Sequence, residues 1–148
     1  MEHLSRERLL AGLGQIRGSP QDGDGLVLIV RRPAAGERDL PPEAALDQAA
    51  GLAGDNWLTR GSTSTPDGSA DPRRQVTVMN ARVAELVAGE TGRMPLAGDQ
   101  RFGAEAMRFV DSRAGRQLRL RGMNARVVVS GTVRLGDLAV KAPARLER

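Results

Sequence analysis

The chain has 148 residues, enough for one domain with a hydrophobic core, and 40% of them are hydrophobic. Net charge is +4, 21 of the 22 basic residues are arginine, and there is no cysteine. Disulfides are therefore excluded, no apolar run is long enough to span a bilayer, and a cytoplasmic setting is expected. The interior has to be built from Val, Leu, Ala, Ile and Met, because the aromatic residues are only Trp57, Phe102 and Phe109. Met1–Arg6 is charged and reads as a helix entry, not a signal peptide.

Leu4–Arg17 is predicted helical. Ser5 is a good N-cap, Leu4 and Leu9 take the positions of a hydrophobic staple, and Leu9, Leu10, Leu13 and Ile16 share one face. Gly18-Ser19-Pro20 ends the helix, and Gln21–Gly25 is a turn cluster. Leu26–Val30 is a continuous apolar run that predicts a buried strand, closed by Arg31-Arg32-Pro33. Pro41-Pro42 interrupts the next stretch, and Glu43–Ala50 reads as a short helix or an irregular edge.

Gly61–Pro72 is a long polar loop rich in turn formers; loops of that length are functional or disordered. Gln75–Met79 predicts a strand. Asn80 N-caps a helix with Val83, Leu86 and Val87 on one face, stopped by Gly89. Thr91–Gln100 is turn-rich. A helix follows over Ala104–Val110, with Met107 and Val110 inward, and Asp111-Ser112 caps a second one through Leu118. Beyond Arg126 the pattern is β: strands at Val127–Val129, Thr132–Leu135 and Leu138–Lys141, with turns at Ser130-Gly131 and Gly136-Asp137. The word Met-Asn-Ala-Arg-Val occurs at Met79 and Met123 in different contexts, and reads as coincidence.

Several chemistries are excluded. His3 is the only histidine. Ser-His-Asp or Cys-His catalysis therefore lacks a base, and zinc sites of Cys and His cannot form. Lys141 is the only lysine, so there is no phosphate-binding Gly-x-x-x-x-Gly-Lys loop, and no Gly-x-Gly-x-x-Gly follows a strand. Asp22-Gly23-Asp24-Gly25 lacks the later ligands of a calcium loop and reads as a turn. Arg113, Arg116, Arg119, Arg121 and Arg126 form the densest basic stretch, read as a solvated face. What remains is recognition of an anion or polar cofactor: Arg60, Arg73 and Arg74 flank the Ser/Thr-rich loop, and arginine forks with loop hydroxyls suit phosphate or other oxyanions.

Two distant segments carry a family likeness. One is Gly51-Leu52-Ala53-Gly54-Asp55-Asn56-Trp57, running into the loop that ends at Arg74–Val78. The other is Met123–Asp137, with Gly131-Thr132-Val133-Arg134-Leu135-Gly136-Asp137. In this order, joined by Pro95–Gln100 and by Arg101–Ser112, they resemble the MOSC domain, the β-rich module named after the C-terminal part of molybdenum cofactor sulfurases. Members of this kind carry further β segments and a cysteine between the Ala-Gly-Asp-Gln and Arg-Phe-Gly words. Here Gln100 is joined directly to Arg101, so the resemblance transfers no catalytic residue.

The resemblance implies a single domain over 1–148, α+β and mainly β, with a partly open β-barrel or curled sheet flanked by helices. Unpaired edges left by the missing block would be covered by helices or paired in a homodimer. The family is associated with molybdenum cofactor, and its members are described as binding molybdenum and pyridoxal phosphate. The implied function is a module for an anionic or pterin-type ligand such as molybdenum cofactor, without independent catalysis or a membrane partner. Asp55, Asn56, Trp57, Arg60 and Ser62 are the first candidates for its site, with Arg74, Asn80 and Asn124 next. Asp55 and Asn56 would orient the ligand, Trp57 would wall the site, and Arg60 would hold an anion. The alternatives are a small basic barrel that binds nucleic acid and a non-functional remnant of a MOSC protein.

Overall fold

A computed structural model describes residues 4–20, 22–88, 105–106 and 108–142 of the chain. The elements run in order: α1 (Arg6–Ala11), α2 (Leu13–Arg17), β1 (Asp24–Gly25), β2 (Glu43–Asp47), β3 (Gly51–Leu52) and α3 (Trp57–Arg60). A 3₁₀ turn (Pro72–Arg74), β4 (Val76–Val78) and α4 (Ala81–Ala88) follow. Then come helical residues 105–106 and 108–111, here α5, and α6 (Arg113–Gln117), β5 (Met123–Ala125), β6 (Gly131–Arg134) and β7 (Leu138–Ala139). The chain divides into two units, each made of two stretches: Met1–Ser19 with Thr77–Asn124, and Pro20–Val76 with Ala125–Arg148.

The first unit is helical. Ser5 caps α1 by accepting from the Arg8 amide, as its position predicts. The expected single helix is two, broken at Gly12, where a Cβ would lie 2.5 Å from a Leu86 methyl. Glycine there admits the α4 side chain. Leu9, Leu13, Ile16, Val83, Val87, Ala106, Phe109 and Leu120 form the buried cluster, and Leu4 packs against it as the staple requires. Leu10 departs from the expected face and is exposed. Asn80 accepts from the Arg82 amide at the start of α4, and Ser112 caps α6 through the Gly115 amide. In α5 the inward residues are Ala106 and Phe109, with Val110 half-buried beside them. The expectations placed on Gly89, Thr91–Gln100, the Gln100–Arg101 junction, Ala104 and Met107 lie outside the described residues.

The second unit carries β2 at the centre of a three-stranded sheet, order β3-β2-β6. Both partners are antiparallel: Ala44 faces Val133, Leu46 faces Gly131, and Leu46 also faces Leu52. β1 and β7 form a separate two-stranded ribbon, with Asp24 opposite Ala139. A third pair, β4-β5, lies where the chain passes between the units.

Four expectations are corrected. Glu43–Asp47 is a strand, not a helix or irregular edge, because pairing on both sides with Ala44 buried overrides the helix preference of Glu-Ala-Ala-Leu. Leu26–Val30 lies in no sheet. Its ribbon is made two residues earlier, and beyond the Leu26 amide to Asp137 carbonyl bond the partner chain turns at Gly136. Val127–Val129 is no strand either: the Val127 amide donates to Gln75 and the Val128 carbonyl accepts from Gln48, so glutamine side chains stand where a neighbouring strand would be. Finally, the balance is mixed rather than mainly β. Among the described residues about 30% are helical and 19% are in strands, the sheets are open, and no barrel closes.

Candidate functional site

Arg31 and Asp39 form an isolated antiparallel bridge, their amides and carbonyls exchanged at 3.2 and 3.1 Å. Their side chains repeat the link, Arg31 Nε to Asp39 Oδ1 at 2.8 Å. This closes a loop of residues 32–38, with a turn inside it where the Glu37 amide donates to the Ala34 carbonyl. The loop is fastened to the segment before α3 at one residue. The Arg32 amide donates to Asp55 Oδ1 at 2.6 Å, and the Arg32 carbonyl accepts from the Asn56 amide at 2.7 Å. Asp55 Oδ2 accepts from the Trp57 amide at 3.0 Å, so this carboxylate serves two backbone donors.

Between loop and helix lies an open cleft of about 390 Å³. Arg32, Ala34, Ala35, Gly36 and Arg38 line one side; Asn56, Thr59 and Arg60 line the other. Among the described residues no acidic one lines it, and three arginines do. Burial, and next the like charges of Arg60 and Arg38, push the Arg32 guanidinium below its ordinary value, while Asp55 offsets part of that. Arg60 is aimed by Asn56, whose Oδ1 accepts from Arg60 Nη1 at 2.6 Å, four residues along α3. Arg38 Nη1 donates to the Glu37 carbonyl. Such a set of forks and a hydroxyl can hold phosphate or another oxyanion.

The structure brings together some of the expected site residues and not others. Asn56 and Arg60 line the cleft, and Asp55 braces it from behind. Trp57 is 5% exposed and belongs to the interior of its unit. Ser62 lies in the polar loop, hydrogen-bonded to Ser64 Oγ at 2.7 Å, and Arg74 is an exposed arginine 3.9 Å from Asp71. Asn80 and Asn124 are in the helical unit, where Asn80 caps α4 and Asn124 accepts from Thr77 Oγ1. Arg32, Arg38 and Thr59 were missed. The only sequence signal for the two arginines is the density of arginine after the Leu26–Val30 run, and Thr59 has none.

The polar loop is self-tied. Asp71, 2% exposed, accepts from the Arg73 side chain and amide and from Ser64 Oγ, and the Arg73 fork holds its carboxyl well below the usual carboxylate range. Gly61 has φ 72°, and a Cβ there would sit 2.2 Å from the Gly68 carbonyl oxygen, so only glycine lets the loop close on itself.

Among the described residues no group of three or more His, Cys, Asp or Glu is arranged to hold a metal, and no helix is long and apolar enough to cross a membrane. Comparison of the chain with protein-family models, curated proteins and solved structures finds no match.

Proposed function

We propose that this chain is a shortened MOSC-like module that binds an anionic ligand of the molybdenum-cofactor type at the arginine cleft, with no catalysis of its own. One observation carries the reading: Arg32, Arg38 and Arg60 line one open cleft that, among the described residues, no carboxylate lines. One segment of the family resemblance supports it, because Asp55-Asn56 is what fixes the Arg32 loop and aims Arg60. The lining fits the phosphate of such a cofactor and equally that of pyridoxal phosphate. Arg32, Arg38 and Arg60 would hold it, with the Thr59 hydroxyl beside them. The metal-bearing end finds no thiolate, since the chain has no cysteine. When bound, the cofactor supplies the molybdenum chemistry, and the chain holds and orients its anionic end.

Trp57 is the only tryptophan and there is no tyrosine, so its emission reports directly on this unit. Titration with molybdenum cofactor is expected to give saturable quenching that Arg60→Ala abolishes. An emission that stays unchanged to saturating ligand, in protein that melts cooperatively, would sink the reading. The second reading, nucleic-acid binding, draws on exposed Arg113, Arg116 and Arg119 around α6. It requires affinity for duplex DNA that falls steeply with salt and survives Arg60→Ala.

A further inference from the structure

Resting on the nucleic-acid reading, we infer that Arg113, Arg116 and Arg119, around α6, form a contact surface for the phosphate backbone of duplex nucleic acid. At each of these arginines α6 departs from what local helix stability favours. Arg113 is the first helical residue after the Ser112 cap, where the helix dipole favours an anion, and the first turn holds no acidic residue. Arg116 follows three residues on, so two like charges are neighbours on the helix surface. Arg119 departs furthest. Its φ is 52°, and among the described residues no other non-glycine has a positive φ. The Arg119 amide donates to the Arg116 carbonyl at 3.2 Å, and the Leu120 amide to the Gly115 carbonyl at 2.9 Å. That is the left-handed turn that closes a helix, and its left-handed position ordinarily takes glycine. Leu120 is completely buried and pins the turn. All three arginine side chains are exposed, so packing does not require them. Helix-breaking strain and repulsion at an exposed arginine point to a use for its charge.

Among the described residues none of the three forms an ion pair. Arg119 Nη1 donates to the neutral Sδ of Met123 at 2.8 Å, which leaves its charge in place. Asp111, just before the cap, is held by Nε and Nη2 of Arg121 at 2.6 and 2.8 Å, and it feels Arg116 less than it feels Arg121. The inner side of α6 is already used: Gly115 is buried, and Ala114 and Leu118 pack against the apolar cluster. No apolar face of α6 is left to enter a lipid surface. Guanidinium forks match phosphate oxygens, and a short row of them matches a backbone that repeats its charge at fixed spacing. The described aromatic residues, Trp57 and Phe109, are buried and offer bases nothing to stack on, which favours a duplex over a single strand.

The test is fluorescence anisotropy of a labelled duplex DNA of about 20 base pairs, titrated with the full chain between about 50 and about 200 mM salt. Affinity should fall with salt at a logarithmic slope of about −3, one contact for each arginine. Arg113→Gln and Arg116→Gln, shown to be folded by their melting curves, should each make the slope shallower by about 1 and weaken binding about fivefold at 100 mM salt. Arg119→Gly separates charge from structure. It should raise the melting temperature by about 2 °C or more, because glycine suits the left-handed position, and still weaken DNA binding like the other two. Polyglutamate and vesicles of anionic phospholipid should bind about tenfold more weakly than the duplex. Salt-dependent duplex binding that all three variants keep would overturn this surface and leave the nucleic-acid reading standing. Absence of duplex binding at low salt would overturn both. Vesicles or polyglutamate binding as tightly as DNA would overturn the choice of partner, and an Arg119→Gly protein that melts lower would overturn the argument from strain.

Discussion

The two units of this protein are ordered by different forces. In the helical unit, Leu9, Val83 and Leu120 are completely buried in one apolar cluster of helix faces. In the β unit the buried apolar residues are few, Ile29, Ala44, Trp57 and Val127, and the buried positions include Asp71 and Gln75. Gln75 is a two-way tie: its Nε2 donates to the Gln48 carbonyl at 2.8 Å, and its Oε1 accepts from the Val127 amide at 2.7 Å. Asp55 and Asp71 do the same for the cleft and for the polar loop. Apolar burial is non-directional and tolerates repacking, whereas hydrogen-bonded polar ties require each partner in place. The cleft arginines Arg32, Arg38 and Arg60 lie in the second kind of unit.

The contrast can be broken most severely at the apolar cluster. Leu120→Ala removes a fully buried side chain and should cost about 3 kcal/mol of stability, read as a lower urea midpoint, with no selective effect on anion binding in the fraction that stays folded. A polar tie should cost somewhat less. Gln75→Ala strands a carbonyl and an amide and should cost about 2 kcal/mol; hydrogen exchange at the Val127 amide should speed up while amides in α4 keep their protection. Equal loss of protection at both places would show that the units do not differ in this way.

Acid sharpens the comparison further. The Asp71 carboxyl is depressed, chiefly by the Arg73 side chain, so its contribution is present above the ordinary carboxylate value near about 4 and is lost as pH falls below it. Asp67, through Ser69, and Asp111, through Arg121, act in the same sense. The wild-type melting temperature should therefore fall as pH drops from 5 to 2. Asp71→Asn should be less stable at pH 7 and should show a shallower fall; an unchanged slope would mean that the carboxylate contributes no stability. The smallest effect on stability belongs to the cleft. Arg60→Ala should shift stability by no more than about 0.5 kcal/mol, because the side chain is exposed and its bond to Asn56 is at the surface, yet anion affinity should drop.

The helical unit could largely be read in the chain. A cap at Ser5, a staple at Leu4 and Leu9, and a 3.6-residue period through Val83 and Val87 are local signals, and each appears where expected. The β unit could be read less well. Glu43–Asp47 has no strand signature of its own and is a strand because β3 and β6 lie on its two sides. Val127–Val129 has a strong signature and is not one, because glutamines distant in sequence take its backbone groups. For the candidate site, Asp55-Asn56 and Arg60 stood out as a motif. Arg32 and Arg38 did not, since an arginine after an apolar run looks the same whether it faces bulk solvent or an opposing arginine.

The sequence by itself determined the helix caps at Ser5, Asn80 and Ser112 and the apolar face through Leu9, Leu13, Ile16, Val83 and Val87, because these depend on neighbours within a turn or two. Only the tertiary structure decided which strands pair and which three arginines meet. Those outcomes depend on bonds between residues more than twenty apart, such as Arg32 to Asp55 and Gln75 to Val127. No local pattern encodes the partner of a hydrogen bond that closes over such a distance.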